Sequence, residues 1–584
     1  MLRSTALFLA SALAVSAAQL DVWSARPEIR TVEPGSALKL GGQRDGDLYR
    51  PRLTNTGKTP VHVKEVALFR IAHNLPDATA FYGESFQMLS QTAGTLGQPI
   101  DLAYDELKHY KIPQPADAKA VTGMITLTLP EGGLTMLLGF TSCQRFSGRF
   151  YLGPKSIEVV LDTEGLALGP GEWWDLEEFL YTTGPNRAAL LAKLADRIDR
   201  NHPPLQFKTP PAGWCSWYCF GARVTARNVM DNLGAIAHDA PQLKYVQLDD
   251  GYQPAMGDWL ETGNAFGGDV QGVLQAIRKQ GFEPAIWVAP FIAEAGSHVF
   301  RQHPGWFMKG PDGKPLPADK VTFQGWRRGP WYALDGTNPE VRKHLESLFR
   351  TMRQQWGVTY FKLDANFWGA MHGGILHDPK ATRIEAYRRG MEAVLRGAGD
   401  GFILGCNHPI WASFGLIHGS RSSGDIKRTW DTFQKVARQN LNRNWQNGRL
   451  WWNDPDAVTL SGDMPETEYR FHATAVMASG GLVLSGDDLN TLPPARLEML
   501  KKLLPPTGVA AEFEDQRLQV GMVRMKDRAL VCLFNWSDGP DKLSFKLPRA
   551  GDVTDLWSGH DYGRQQGAME VALRPHEGTV LVVR

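Results

Sequence analysis

Cysteine is scarce in this sequence: five in 584 residues, at Cys143, Cys215, Cys219, Cys406 and Cys532. They are too few and too scattered for a disulfide framework, and none sits at zinc-ligand spacing. The nearest pair, in Cys215-Ser-Trp-Tyr-Cys219, has three intervening residues where a redox motif has two. Net charge is nearly absent too, with 63 basic residues against 62 acidic ones. Electrostatic binding to nucleic acid or to an anionic membrane therefore has no support. Past the N-terminus no run reaches 18 apolar residues, so no membrane-spanning helix is expected. There is no GxGxxG loop, no P-loop and no low-complexity tract. Histidines and carboxylates are not clustered at ligand spacing, so neither a metal nor an organic cofactor is expected. A hydrophobic content of 43% with 21% charged residues argues against long disordered segments.

At the N-terminus Arg3 precedes a short apolar run, and Val15-Ser-Ala-Ala18 supplies small residues for cleavage. Residues 1–18 are expected to be a signal peptide and the product to be exported, periplasmic or extracellular. Aromatic rings are plentiful, with 19 tryptophans and 14 tyrosines; such rings fill cores and also stack on the apolar faces of sugars.

The remaining chain changes its pattern twice. From 19 to about 183 it alternates with period two, as in 61–71 (VHVKEVALFRI) and 156–162 (SIEVVLD), between Gly and Pro punctuation. That predicts an N-terminal antiparallel β-sandwich, closed by an amphipathic helix over 186–200 and a linker, within 19–205. Apolar strands then alternate with helical segments. Candidate strands are 213–217, 245–250, 283–291, 360–364, 402–406, 415–420, 449–452 and 481–486. Continuous apolar strands with helices between them predict a central (β/α)8 TIM barrel over 206–505. Alternation returns after Pro505 and predicts a small C-terminal antiparallel β domain over 506–584.

Catalytic groups of a barrel gather at the C-terminal ends of its strands. Here the second strand ends in Asp249-Asp250 and the fourth in Lys362 and Asp364. The sixth is followed by Arg421 and Asp425, the seventh by Asp454 and Asp456. Lys362 and Asp364 are two apart, so both point to the lumen, and the lysine favours an ionised Asp364. The bland reading of this pair is an ion pair plugging the barrel end. Asp249-Asp250 suits either a sugar diol or a turn cap. Arg421–Asp425 suits either a proton donor with its partner or a surface pair.

In order, 213–221 (GWCSWYCFG), 245–260 (YVQLDDGYQPAMGDWL), 286–291 (IWVAPF), 360–366 (YFKLDAN), 421–425 (RSSGD) and 451–456 (WWNDPD) resemble the retaining α-galactosidases of glycoside hydrolase family 36, the melibiases, and their clan relatives in family 27. The resemblance covers roughly residues 210 to 490, and the flanking β domains resemble family 36 in particular. It implies a glycosidase acting on an α-galactoside oligosaccharide or glycan, with Asp364 as nucleophile and Asp425 as acid/base. It also implies that Asp249 and Asp250 hold the 4- and 6-hydroxyls, that Lys362 binds a ring hydroxyl, and that Arg421 positions sugar and acid. Trp287 and Trp214 would form the sugar-facing wall, with Cys406 and Arg328 as further contacts. Asn407-His408-Pro409 departs from the family's pattern near the sugar's C2. That leaves α-N-acetylgalactosaminidase, other α-glycosidase and raffinose-synthase-like transferase activities as alternatives, and the oligomeric state open.

Overall fold

The computed structural model describes residues 19–34, 37–130, 133–514 and 516–584; the expected signal peptide, 1–18, lies outside them. The N-terminal region forms two antiparallel sheets. In Val61–Ala72 the period-two pattern is visible at the strand's start, where Val61 and Val63 are buried while His62 and Lys64 are exposed. The second sheet ends on the run Ala80–Glu84, Ser90–Thr95, Gln98–Ala103, which lies against the barrel. The helix Arg187–Asn201 is capped by Asn186, whose side chain accepts from the Ala189 N–H at 3.0 Å. It buries Leu190, Leu191, Leu194 and Ile198.

The barrel strands are β1 (Ala212–Cys215), β2 (Tyr245–Leu248), β3 (Glu283–Val288), β4 (Tyr360–Leu363), β5 (Phe402–Gly405), β6 (Gly419–Arg421), β7 (Trp452–Asp454) and β8 (Val483–Ser485). They form one parallel sheet in the order β7-β6-β5-β4-β3-β2-β1-β8. The seam between β7 and β8 is closed indirectly. Leu482 N–H donates to Asn453 O at 2.8 Å, and beyond the intervening proline Val458 N–H donates to Leu484 O at 2.7 Å. Pro455 has no N–H to offer, so the ladder breaks there and resumes at Val458. The outer helices bury one face each: Pro339–Gln354, capped by Asn338, turns in Val341, Leu345, Leu348 and Phe349.

Two strands sit later than their apolar runs predict. The run 415–420 yields a strand only at Gly419–Arg421, and 449–452 only at Trp452–Asp454. Leu416, Ile417, Leu450 and Trp451 are buried, yet Leu416 N–H goes back to Ser413 O and Leu450 N–H to Gln446 O. These residues are apolar because turns bury them, not because a ladder does. The C-terminal residues form a six-stranded and a two-stranded antiparallel sheet around Val531, Leu533, Leu543, Val571 and Leu581.

One buried ion pair joins the N-terminal sheet to the barrel. Arg443 Nη2 donates to Glu84 Oε2 at 2.7 Å, and both side chains are essentially inaccessible. The same guanidinium donates to Ser90 O at 2.8 Å, to Met88 O, and to Ser422 O at 3.0 Å on the loop after β6. Removing one partner of such a pair strands the other charge in a dry interface, at a cost of about 3–5 kcal/mol. Glu84→Ala is expected to lower the unfolding free energy measured in urea by that amount; a value within about 0.5 kcal/mol of the parent would contradict the assignment.

Candidate active site

The carboxylates at the strand ends do share one rim, and Lys362, Arg421 and Arg327 are distributed among them in a way that chain adjacency does not suggest. Asp249 follows β2. Its Oδ2 accepts from Lys362 Nζ at 2.9 Å and Gln247 Nε2 at 2.7 Å, while Oδ1 accepts from the Asp250 N–H at 2.9 Å. Lys362 therefore bonds to Asp249, not to its sequence neighbour Asp364. Burial opposes the Lys362 charge, but Asp249 first and then other groups including Asp364 hold its pKa well above the ordinary value.

Asp364 is held by N–H donors instead. Its Oδ1 accepts from Ala365 N at 2.6 Å and its Oδ2 from Trp287 Nε1 at 3.1 Å. Ala365 takes a left-handed φ of 53°, a strained setting for a residue with a Cβ, and its N–H points back at the carboxylate it follows. Burial raises the Asp364 pKa above the ordinary value; Lys362, the Ala365 N–H and Trp287 oppose the rise, and the Asp425 charge adds to it. The expectation that Lys362 sets a low pKa is thus corrected: its pull has the expected sign, and desolvation outweighs it.

On the far side of the rim Arg421, at the end of β6, is 1% exposed. Its Nη2 donates to Asp425 Oδ1 at 2.8 Å and to Asp456 Oδ2 at 2.6 Å, and its Nη1 lies 3.9 Å from Cys406 Sγ. Of these two carboxylates only Asp425 reaches solvent, with 54% of its side chain exposed. Asp456 is buried and also accepts from Tyr218 OH and from Ile426 N at 2.7 Å, which fixes the residue that follows Asp425. Burial pushes Asp456 up to about 6 against the pull of Arg421.

Asp250 Oδ1 accepts from Gln253 Nε2 at 2.7 Å and from Arg327. Its Oδ2 is buried without a protein hydrogen bond of ordinary geometry, although the Trp326 side chain still acts to lower its pKa; burial raises it overall. The arginine at this carboxylate is thus Arg327. Arg328 points away, its side chain 67% exposed, toward Pro254 O at 2.7 Å and Glu294 at 3.3 Å. Trp214 is also corrected. It is fully buried, with its N–H on Asp487 O at 2.8 Å, and presents no face to a ligand. Trp287 touches the site through its N–H rather than as a wall, and its ring packs edge-on against Trp259.

Near the departure from the family pattern, Asn407 and His408 are already engaged. Asn407 Oδ1 accepts from Tyr110 OH at 3.0 Å, and His408 lies 2.9 Å from both Ser413 Oγ and Ser420 Oγ. Among the described residues the one His/Cys/carboxylate group tight enough for a cation is Asp258, Glu261 and His298, outside this rim. Asp258 there already accepts from the N–H groups of His298 and Val299.

Sequence reasoning noted Asp456 as a strand-end acid without giving it a task, and it missed Tyr218, Arg327 and Trp326. The Asp-Pro-Asp turn was the available signal for Asp456; nothing local marks the others. Asp456 also yields a pH dependence. The folded state binds its proton more tightly than an unfolded aspartate of pKa about 3.9. Its contribution to stability is therefore complete below about pH 3.9 and fades as pH rises through about 6. Relative to Asp456→Asn, the parent is expected to lose about 2–3 kcal/mol of unfolding free energy between the ordinary aspartate pKa and pH about 6. A difference that does not change with pH would contradict this.

Residues 237–391 match the melibiase family. An α-galactosidase from Cyamopsis tetragonoloba is 23% identical over 380 residues, covering 62% of this chain and 78% of that protein. The myogenesis-regulating glycosidase of Mus musculus is 30% identical over 156 residues, 26% of this chain and 20% of that one. The chain thus spans a fifth of the murine protein and about three quarters of the plant enzyme. Among solved structures, an α-galactosidase from Thermus thermophilus with p-nitrophenyl α-D-galactopyranoside superposes with a TM-score of 0.64 at 23% identity, covering 85% of this chain and 98% of that one. The galactosidase domain of the α-galactosidase–sucrose kinase AgaSK gives 0.65 at 15% identity, covering 96% and 85%. The segment 237–391 is thus similar to the melibiase family, and the three-part architecture is the fold shared with these two solved structures.

Proposed function

We propose that this protein is an exported, retaining exo-α-galactosidase that removes terminal α-D-galactose from oligosaccharides or glycans. The observation that carries the reading is the contrast between its two acids. Asp364 is half-buried and gripped by two N–H donors; Asp425 is exposed, held on one side by Arg421, and close enough for its charge to act on Asp364. In the first step an Asp364 oxygen attacks the anomeric carbon, the bond to the leaving oxygen breaks, and Asp425 gives that oxygen its proton. In the second, Asp425 takes a proton from water, which cleaves the ester and releases galactose with the anomeric configuration retained. The Ala365 and Trp287 N–H groups orient the nucleophile; Asp250, with Arg327 beside it, and the Lys362–Asp249 pair are the groups available to sugar hydroxyls. No step calls for a metal or an organic cofactor. The internal hydrogen bonds of Asn407 and His408 leave little to greet an N-acetyl group, which supports galactose at C2. Residues 1–18 support export to the periplasm or the exterior.

Azide rescue tests both assignments at once. With an activated α-galactoside, Asp425→Ala plus azide is expected to give α-galactosyl azide, because azide attacks the β-linked ester on Asp364. Asp364→Ala plus azide is expected to give β-galactosyl azide by direct displacement. The same anomer from both variants, or turnover by Asp364→Ala without azide at the parent's rate, would contradict the roles.

A further inference from the structure

The proposed reaction uses the strand-end rim and leaves a separate cavity without a task. This cavity, of about 740 Å³, lies between the N-terminal domain and the barrel loop 371–376; its volume falls in the range of small-molecule sites. Arg149 lines it from the strand Ser147–Gly153, Asp162 and Glu164 from Ser156–Leu168, and His372 and Arg383 from the barrel. Glu164 and Gly165 take left-handed φ of 58° and 74°, and the register of their strand is interrupted between Asp162 and Leu166. Such a bulge re-aims a side chain out of the ladder. Here Glu164 Oε2 accepts from the Arg383 N–H at 3.0 Å, the first residue of the helix Arg383–Ala398. Arg149 donates to Asp162, and Arg383 Nη2 reaches the same carboxylate at 3.4 Å.

Two of these lining groups have bonding capacity left over. Arg383 is 3% exposed, and its Nη1 has no hydrogen-bond partner among the described residues. His372 Nε2 lies 2.8 Å from Val321 O. A carbonyl only accepts, so that nitrogen carries the proton. Burial, with Arg383 adding to it, lowers the His372 pKa to about 4, so the ring is neutral near pH 7 and Nδ1 is a bare acceptor. Nδ1 also has no partner among the described residues. Buried polar groups left this way are costly. An anion could use the guanidinium, but it would meet the Nδ1 lone pair, Asp162 and Glu164, which are all acceptors. A hydroxyl serves both sides: it accepts from Arg383 and donates to Nδ1 or a carboxylate. Val32, Met371 and Leu376 add apolar surface to the walls. The ligand that fits is uncharged, rich in hydroxyls and partly apolar.

We propose that this interdomain cavity is a second, non-catalytic site for a neutral saccharide, held by Arg383, His372 and the Asp162 and Glu164 carboxylates. The test follows melibiose by saturation-transfer NMR on the whole chain, with the rim filled by excess 1-deoxygalactonojirimycin. A saturable melibiose signal is expected to persist. His372→Phe, which removes the free acceptor, is expected to raise the melibiose Kd about fivefold to tenfold, the size of one hydrogen bond. Val32→Trp, made at an exposed position and so compatible with folding, is expected to plug the mouth and abolish the signal. Both variants are expected to keep the parent's turnover of p-nitrophenyl α-D-galactopyranoside. No saturable signal in the parent, an unchanged Kd in His372→Phe, or an undiminished signal in Val32→Trp overturns the site. Displacement of melibiose by an equal concentration of sodium sulfate also overturns it, in favour of an anion site. A parent that releases no galactose from the nitrophenyl galactoside overturns the hydrolase reading alone, since the melibiose titration still decides the cavity.

Discussion

Arg421 carries one positive charge, and two carboxylates compete for it. Its Nη2 lies 2.6 Å from Asp456 and 2.8 Å from Asp425. A guanidinium this deeply buried is costly unless it is paired and hydrogen-bonded. Asp456, itself buried and pinned by Tyr218, Ile426 N–H and Ala457 N–H, is placed to do that. Asp425, the exposed partner, shares the same guanidinium nitrogen and reaches solvent. Asp456 also fixes Asp425 through the next residue's backbone. The division of labour between a buried counter-ion and an exposed acid is what the rest of the proposed chemistry depends on.

Across the rim the logic is reversed. Asp364 receives no direct cation; it receives two N–H donors and a distant pull from Lys362. N–H dipoles hold a carboxylate in place without neutralising it, which suits the nucleophile role proposed for Asp364. The N-terminal domain belongs to this arrangement. Arg443 and Gln439 tie its sheet to Ser422 and Gly424, the residues just ahead of Asp425, so the domain braces the loop that carries the exposed acid.

How much of this can be read in the sequence depends on whether the controlling contact is local. The three-part architecture is legible because period-two alternation and continuous apolar strands are properties of a few neighbouring residues. The strand-end acids after β2 and β4 are legible for the same reason, as polar breaks at the end of apolar runs. The direction of Lys362 follows from two-residue periodicity, but its partner does not. In a barrel, inward residues of alternate strands form one layer, so Lys362 on β4 meets Asp249 after β2 rather than Asp364 two residues on. Arg327 and Arg328 lie outside any regular element, with φ of 45° and 48°, and no pattern tells which one turns inward. Trp214 fails for a different cause: a tryptophan in a barrel strand reads alike whether it lines a cleft or fills a core, and here it is sealed in.

The most direct test of the account is to inactivate the protein with 5-fluoro-α-D-galactosyl fluoride, digest it, and sequence the labelled peptide by mass spectrometry. The account predicts one galactosyl ester, on Asp364. A label on Asp425, Asp250 or Asp456, or no covalent adduct while the reagent is turned over, would contradict it.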